Sequence, residues 1–199
     1  MTEKQTIISI GREFGSGGHV IAENIAERFG LPLYDRNLLR EVADEKKFDI
    51  KNLEQYDEVP RNVFFSRTVR GLNNSPEDNI ANMQFNFLRK RAAEGKSYVV
   101  VGRCSETVLK EYECLITIFV LGDMEEKIKR IANIYNVSNI EAEDLIRHYD
   151  KKRKLYHNYY SSKKWGDSRN YDLSINSSRL GIEETINVIE DYIKRRQKS

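Results

Sequence analysis

Four glycines within eight residues separate an apolar run from a helical pattern near the start of the chain. From Gly11 to Gly18 the sequence is Gly-Arg-Glu-Phe-Gly-Ser-Gly-Gly. Glycine lets the backbone turn sharply and leaves its N–H groups uncovered. At a helix N-terminus, such amides act together with the helix dipole to bind an anion, typically phosphate. We therefore predict a phosphate-binding loop formed by Gly11, Arg12, Gly15, Ser16, Gly17, Gly18 and His19. The alternative is a glycine-rich turn that binds nothing.

This loop departs from the standard phosphate-binding loop at two positions. The standard pattern ends in Gly-Lys-Ser/Thr, where the lysine contacts the β- and γ-phosphates and the hydroxyl contacts Mg²⁺. When the pattern is aligned on Gly17, Gly18 replaces the lysine and His19 replaces the hydroxyl residue. Arg12 or another arginine is a candidate for the lost positive charge, and Ser16 is a candidate for the hydroxyl.

Other charged residues are spaced as a phosphate site would require. Arg103 follows the apolar run Val99–Gly102, and Arg147, Asp150 and Arg153 stand at three-residue steps on one helical face. Positive groups of this kind stabilise charge on a phosphoryl group in transfer. An exposed ion-pair stripe is the alternative for the helical set. Arg130 is open to the same two interpretations. His148 and His157 belong to no metal-ligand pattern, and we predict both at the surface.

The elements that must position these residues alternate between strand and helix. Five apolar runs predict strands at Thr6–Ile10, Leu31–Asp35, Ser97–Gly102, Leu115–Leu121 and Tyr171–Asn176. Two capping patterns, Asp123-x-x-Glu126 and Ser138-x-x-Glu141, predict helix starts. The alternation predicts an α/β fold with an open, mostly parallel sheet and ligands at the carboxyl ends of the strands.

The segment Arg36–Gly95 has a mostly helical, polar pattern without a convincing strand, which predicts a helical insertion between two sheet strands. The length of 199 residues predicts a single domain. Thirty-three basic and 31 acidic residues give a net charge of +2, so charge alone favours neither a nucleic-acid nor a membrane partner. Two cysteines and the lack of a signal peptide or apolar membrane span favour a cytoplasmic location.

Several of these segments together resemble a known family. The opening Ile8–Gly18 resembles that of the cytidylate kinase-like proteins, a divergent branch of the P-loop nucleoside monophosphate kinases. The resemblance continues at Leu31–Asp35, Val99–Arg103, Asp150-x-x-Arg153 and Trp165–Asn176, so it spans nearly the whole chain. It implies a three-layer P-loop fold with a helical acceptor-binding insertion at about 36–95 and a lid at about 133–170.

The chain departs from true cytidylate kinases around the acceptor. Their Gly-Arg-Asp is here Gly102-Arg103-Cys104, and their Asp-Ser/Thr-Gly is Asp35-Arg36-Asn37. Their lid pattern is kept only as Asp150-x-x-Arg153, with Arg147 one position off. These differences put CMP recognition in question more than the fold.

The resemblance implies phosphoryl transfer from ATP, with Mg²⁺, to a nucleoside monophosphate, CMP or dCMP first. The glycine loop and Arg130 would hold ATP, and Asp35 and Arg36 would face the acceptor. Arg103, Arg147, Asp150 and Arg153 would be catalytic. The alternatives are a phosphotransferase for another small acceptor and a nucleotide-binding sensor that has lost catalysis. A further alternative, a nucleic-acid-binding module, is supported only by the basic tail Lys194–Arg196.

Overall fold

A five-stranded parallel sheet forms the centre of the protein. The computed structural model describes residues 4–35, 38, 68–69, 72–73 and 76–198. In these ranges the strands are β1 (Ile7–Arg12), β2 (Leu33–Tyr34), β3 (Thr68–Val69), β4 (Leu72–Asn73), β5 (Tyr98–Val101), β6 (Leu115–Leu121) and β7 (Leu173–Asn176). The sheet order is β2-β5-β1-β6-β7, and every neighbouring pair is parallel. All five predicted strands are therefore confirmed.

Helices cover both faces of this sheet. They are α1 (Gly18–Arg28), α2 (Pro76–Ala93), α3 (Ser105–Val108), α4 (Met124–Tyr135), α5 (Asn139–Tyr160) and α6 (Ser177–Lys198), with a 3-10 turn at Ser168–Asn170. Because side chains alternate along a strand, Ile8 and Ile10 pack with α1 and α6, whereas Ile7 packs with α2 on the opposite face. The predicted three-layer α/β fold is confirmed.

The prediction that the insertion lacks strands was wrong. β3 and β4 pair antiparallel, with Val69 opposite Leu72. Arg70 and Gly71 stand between these two residues in the sequence, and a two-residue connection that contains glycine favours a hairpin. A strand of two residues is too short to produce a periodic pattern. Most of the first half of the predicted insertion, residues 36–37 and 39–67, lies outside the described residues.

One of the two predicted capping boxes forms. The Glu141 amide donates to Ser138 Oγ at 3.3 Å, and the Ser138 amide donates to Glu141 Oε2 at 2.9 Å. The helix α4 begins as predicted, with Asp123 at its N-cap position, but the Asp123 side chain makes no capping bond to α4, so no capping box forms there. Its carboxylate instead accepts from Asn176 Nδ2 at 2.8 Å and pairs with Arg179. The competing contacts tie the start of α4 to the end of β7.

The paired helices α4 and α5 pack against the loop after β1. Ile131, Ala142 and Ile146 form a small apolar cluster to which Phe14 of that loop contributes. These helices overlap the predicted lid, whose limits and motion stay predictions. Within the described ranges, no helix combines the length and apolar character that crossing a bilayer requires.

Candidate active site

The loop between β1 and α1 provides an open set of backbone amides. Gly15 (φ 83°) and Gly17 (φ 77°) both lie in the left-handed region that favours glycine. In the described part of the chain, the amides of these two residues donate to no other group. α1 begins at Gly18, so its unpaired N-terminal amides and positive dipole end face the same place. This geometry suits an anion.

Arg12 explains why the usual lysine is missing at position 18. A Cβ on Gly18 would lie 2.5 Å from Arg12 Cβ, closer than two carbon atoms approach without displacement. The Arg12 side chain therefore occupies the space from which a lysine side chain would start. Arg130 also approaches the loop, because its Nη1 lies 3.3 Å from the position that a Cβ on Gly17 would take. The Arg12 side chain and the Arg130 guanidinium thus lie beside the loop.

The Ser16 hydroxyl is used inside the loop. Ser16 is buried, its Oγ donates to the Glu13 carbonyl at 2.9 Å, and the Gly18 amide approaches the same Oγ at 3.4 Å. These contacts fix the shape of the loop and engage the hydroxyl away from the cleft.

A cleft of about 480 Å³ opens over the loop. Its basic lining residues are Arg12, Arg130, Lys152 and Arg153, and its acidic ones are Glu13 and Asp35. His19 Nε2 lies 3.5 Å from Asp35 Oδ2 and 3.3 Å from Glu23 Oε1. Asp35, which we predicted to face the acceptor, is therefore next to the first turn of α1.

A second, smaller cavity of about 20 Å³ brings three of the predicted arginines together. Arg12, Arg103 and Arg153 line it, and Arg12 and Arg153 also line the larger cleft. Arg103 is only 2% exposed, and it begins a turn in which it and Cys104 have positive φ angles of 59° and 49°. Arg103 Nη2 donates to the Asp35 carbonyl, and Arg153 Nη1 donates to the Arg12 carbonyl, each at 3.4 Å.

Asp150 binds the loop through its carboxylate. Its Oδ1 accepts from the Phe14 amide at 2.6 Å, and its Oδ2 accepts from Lys127 Nζ at 2.9 Å. Lys127 Nζ also donates to Glu13 Oε2 at 3.0 Å, and the Lys127 side chain is 4% exposed. This ion cluster joins α4, α5 and the loop. Lys127 is not among the site residues predicted from the sequence. The one sequence feature that indicates its burial is its position one turn before the buried Ile131.

Besides Ser16 and Asp150, whose polar groups contact the loop itself, two more predicted site residues are not brought to either cavity by the described structure. Arg147 has a side chain that is 64% exposed and pairs with Glu143. Arg36 lies outside the described residues. Catalytic roles for Arg147 and acceptor contacts for Arg36 stay predictions. Gly11 lies in β1 and lines the smaller cavity, opposite Phe119 of β6.

The prediction that His157 lies at the surface was wrong. His157 and Glu106 are both buried, and His157 Nε2 lies 2.7 Å from Glu106 Oε1 beside the smaller cavity. His157 follows Arg153 by four residues, so both share one face of α5. His148 is exposed, as predicted. Burial raises the pKa of Tyr171 far above its usual range, and the charge of Glu106 adds to this effect.

The described residues contain no group of three or more His, Cys, Asp and Glu side chains arranged to hold a metal ion. Mg²⁺ is usually held by one or two carboxylates and substrate phosphates rather than by a full protein cage. Asp35, at the edge of the cleft, fits that requirement. His19 does not, since Mg²⁺ prefers oxygen ligands.

Comparisons with known proteins agree with this architecture. A model of the cytidylate kinase-like family matches residues 7–179. The chain is similar to a cytidylate kinase from Desulfurococcus amylolyticus, with 24% identity over 91% of this chain and 89% of that protein. It is also similar to the solved structure of an uncharacterized protein from Eubacterium ventriosum, with 38% identity, a TM-score of 0.76 and coverage of 96% and 99% of the two chains. A shikimate kinase from Bacteroides thetaiotaomicron shares the fold, with 13% identity, a TM-score of 0.55 and coverage of 95% and 98%.

Proposed function

Because the chain belongs to the cytidylate kinase-like family, we propose that it transfers the γ-phosphoryl group of ATP to a nucleoside monophosphate, with CMP or dCMP as the first candidates. The observation that supports this proposal best is the convergence of Arg12, Arg103 and Arg153 on one small cavity beside the glycine loop. Phosphoryl transfer depends on positioning and on positive groups around the moving phosphoryl, and these arginines supply such groups.

The donor phosphates would lie on the amides of Gly15–His19. Arg12 and Arg130 would supply the charge that the standard loop takes from its lysine. A charge-assisted hydrogen bond contributes about 1.5–3 kcal/mol, so two guanidinium groups are sufficient to replace one ammonium group. Asp35 would hold Mg²⁺ together with the phosphate oxygens. The metal would neutralise charge that develops between donor and acceptor.

The acceptor would enter between the end of β2 and the end of β5. Asp35 follows β2, Arg103 follows β5, and the hydrogen bond from Arg103 to the Asp35 carbonyl joins these two strand ends. A buried guanidinium at this edge favours an acceptor that carries a phosphate. Arg153, which also reaches the larger cleft, would lie between donor and acceptor.

The test is an ADP-release assay on the purified protein with ATP and Mg²⁺. We expect turnover with CMP or dCMP that exceeds turnover with UMP and AMP, and none when Mg²⁺ is chelated. Turnover only with a different small acceptor would support a phosphotransferase activity and would exclude a nucleoside monophosphate as the acceptor.

A nucleotide-binding sensor without catalysis is the second candidate, and Gly18 favours it. The standard lysine at this position contacts the phosphoryl group that moves, and its loss is compatible with binding without transfer. Tight ATP binding without ADP release in the presence of any monophosphate would select the sensor.

A further inference from the structure

The larger cleft has an aromatic wall whose function the proposed phosphate contacts do not explain. Phe14, Tyr135 and Tyr149 line it together with Gly15 and Gly17 of the loop. The Phe14 and Tyr149 rings stack at 4.5 Å with an interplanar angle of 25°, and Tyr135 lies 6.2 Å from Phe14 at 33°. The Phe14 ring therefore contacts both tyrosine rings, stacked on Tyr149 and tilted against Tyr135.

These rings are more exposed than packing between helices requires. Tyr135 is 52% exposed and Tyr149 is 39% exposed, whereas Tyr156, further along α5, is 5% exposed. Exposed aromatic side chains that face a concave cleft are typical of a ligand site. Ile134 extends this apolar surface.

The position of the wall limits what it can bind. Phe14 is adjacent to Gly15, so the aromatic surface begins one residue from the phosphate cradle. A nucleotide with its phosphates on the loop would place a flat ring system, its base, against the wall. The Arg153 guanidinium lies 5.5 Å from the centre of the Phe14 ring, so positive charge flanks the surface. Bases stack favourably on aromatic rings and guanidinium planes.

We propose that Phe14, Tyr135 and Tyr149 form a stacking platform for the base of a nucleotide whose phosphates lie on the glycine loop. This inference rests on the proposed function, because it needs a nucleotide in the cleft. Because the donor phosphates lie on this loop in the proposed function, the base is that of the donor nucleotide. Stacking recognises the flat face that all bases share, so it does not select one base strongly.

The experiment compares each nucleotide with a matched ligand that lacks the base. Calorimetric titrations would use ATP against ribose 5-triphosphate and CMP against ribose 5-phosphate. The variants are Tyr149→Ala, Tyr149→Phe, which keeps the ring, and Tyr159→Ala as a control on the same helix outside the cleft. Thermal melting would establish that each variant is folded.

We expect Tyr149→Ala to weaken the binding of ATP by about tenfold and to leave the binding of its base-free partner unchanged. A loss confined to CMP would overturn the platform as a site for the donor base. Tyr149→Phe should restore the affinity, and Tyr159→Ala should bind like the wild type.

Equal losses of affinity for a nucleotide and for its base-free partner in Tyr149→Ala would overturn the platform. The Tyr149 ring would then affect binding by shaping the loop and not by stacking on the base. Unchanged affinities in Tyr149→Ala, or a wild type that binds neither nucleotide, would also overturn the platform. The kinase proposal is judged separately by wild-type ADP release. Normal turnover with unaltered binding in Tyr149→Ala would reject the platform alone, whereas base-dependent binding without turnover would reject the kinase alone.

Discussion

His157 of α5 and Glu106 of α3 form a buried contact of 2.7 Å that fastens the C-terminal half of α5 to the turn after β5. A second contact joins the same two segments, because Thr107 Oγ1 lies 2.8 Å from Ser161 Oγ. Asp150 and Arg153 contact the end of β1 and the loop after it, and His157 contacts Glu106, all from one face of the same helix. Arg153, which lines both cavities, therefore lies between two anchoring residues on that face.

The first prediction concerns this anchor. His157→Ala should lower the free energy of unfolding by about 3 kcal/mol, because the Glu106 carboxylate loses its partner in a buried position. Urea denaturation measures the change. His148→Ala is the matched control, since His148 is exposed on the same helix, and it should change stability by less than about 0.5 kcal/mol. Equal effects of the two substitutions would contradict the anchoring role.

The second prediction concerns the ion cluster behind the loop. Lys127→Met keeps most of the side-chain volume but leaves Glu13 and Asp150 without the cation that both contact. We expect the free energy of unfolding to fall by about 3 kcal/mol. Lys129→Met is the control, because the exposed Lys129 pairs only with Glu125 and Glu126 of its own helix.

A double-mutant cycle separates this ion pair from general damage. Asp150→Asn and Lys127→Met combined should cost less than the sum of the single changes, with a coupling free energy of about 1–3 kcal/mol. Strict additivity would show that Lys127 and Asp150 do not stabilise each other.

The features predicted correctly are the strands and the residue positions that local sequence patterns determine. The strands β5 and β6 are mostly apolar runs, and Arg12 and Arg103 each lie where a strand ends, at β1 and β5. Because parallel strands end at the same edge, the strand pattern accounts for the position of both arginines beside one cavity. The helical spacing from Asp150 to Arg153 likewise placed both on one face, and both reach the loop.

Apart from the short strands β3 and β4, the errors have one physical cause, which is a partner distant in the chain. Charged or titratable residues such as Lys127 and His157 are expected at the surface unless a partner compensates for their burial. Lys127 contacts Asp150, 23 residues away, and Glu13, 114 residues away, and His157 contacts a residue 51 residues away, so no local pattern indicates these contacts. The Asp123 side chain makes no capping bond for the same reason, because Asn176, 53 residues away, binds its carboxylate.

The third prediction concerns the glycine loop. Gly17→Val should abolish measurable ATP binding, because Gly17 has a positive φ of 77° and a Cβ there would lie 2.3 Å from Ile182 Cδ1. Ile182 Cδ1 is the end of a flexible side chain, so the fold should survive. Gly30→Ala is the control: Gly30 also has a positive φ, of 61°, but nothing lies within 4 Å of an added Cβ.

Gly30→Ala should cost roughly 1 kcal/mol of stability through backbone strain and retain wild-type ATP binding. Calorimetry and thermal melting, applied to both variants, distinguish strain from a lost phosphate site. If Gly17→Val retained its ATP affinity, the loop would not be part of the ATP-binding site.

The last prediction separates a kinase from a sensor through Arg153. Its guanidinium lies between the glycine loop and the cavity that Arg12 and Arg103 line. If it stabilises charge that is greatest in the transition state, its removal lowers kcat more than it weakens ATP binding. Arg153→Ala should reduce kcat on the order of 10³-fold and change ATP affinity by less than about tenfold. Lys154→Ala removes a neighbouring exposed charge and should leave both quantities unchanged. A wild type without turnover, in which Arg153→Ala only weakens ATP binding, would identify the protein as a sensor.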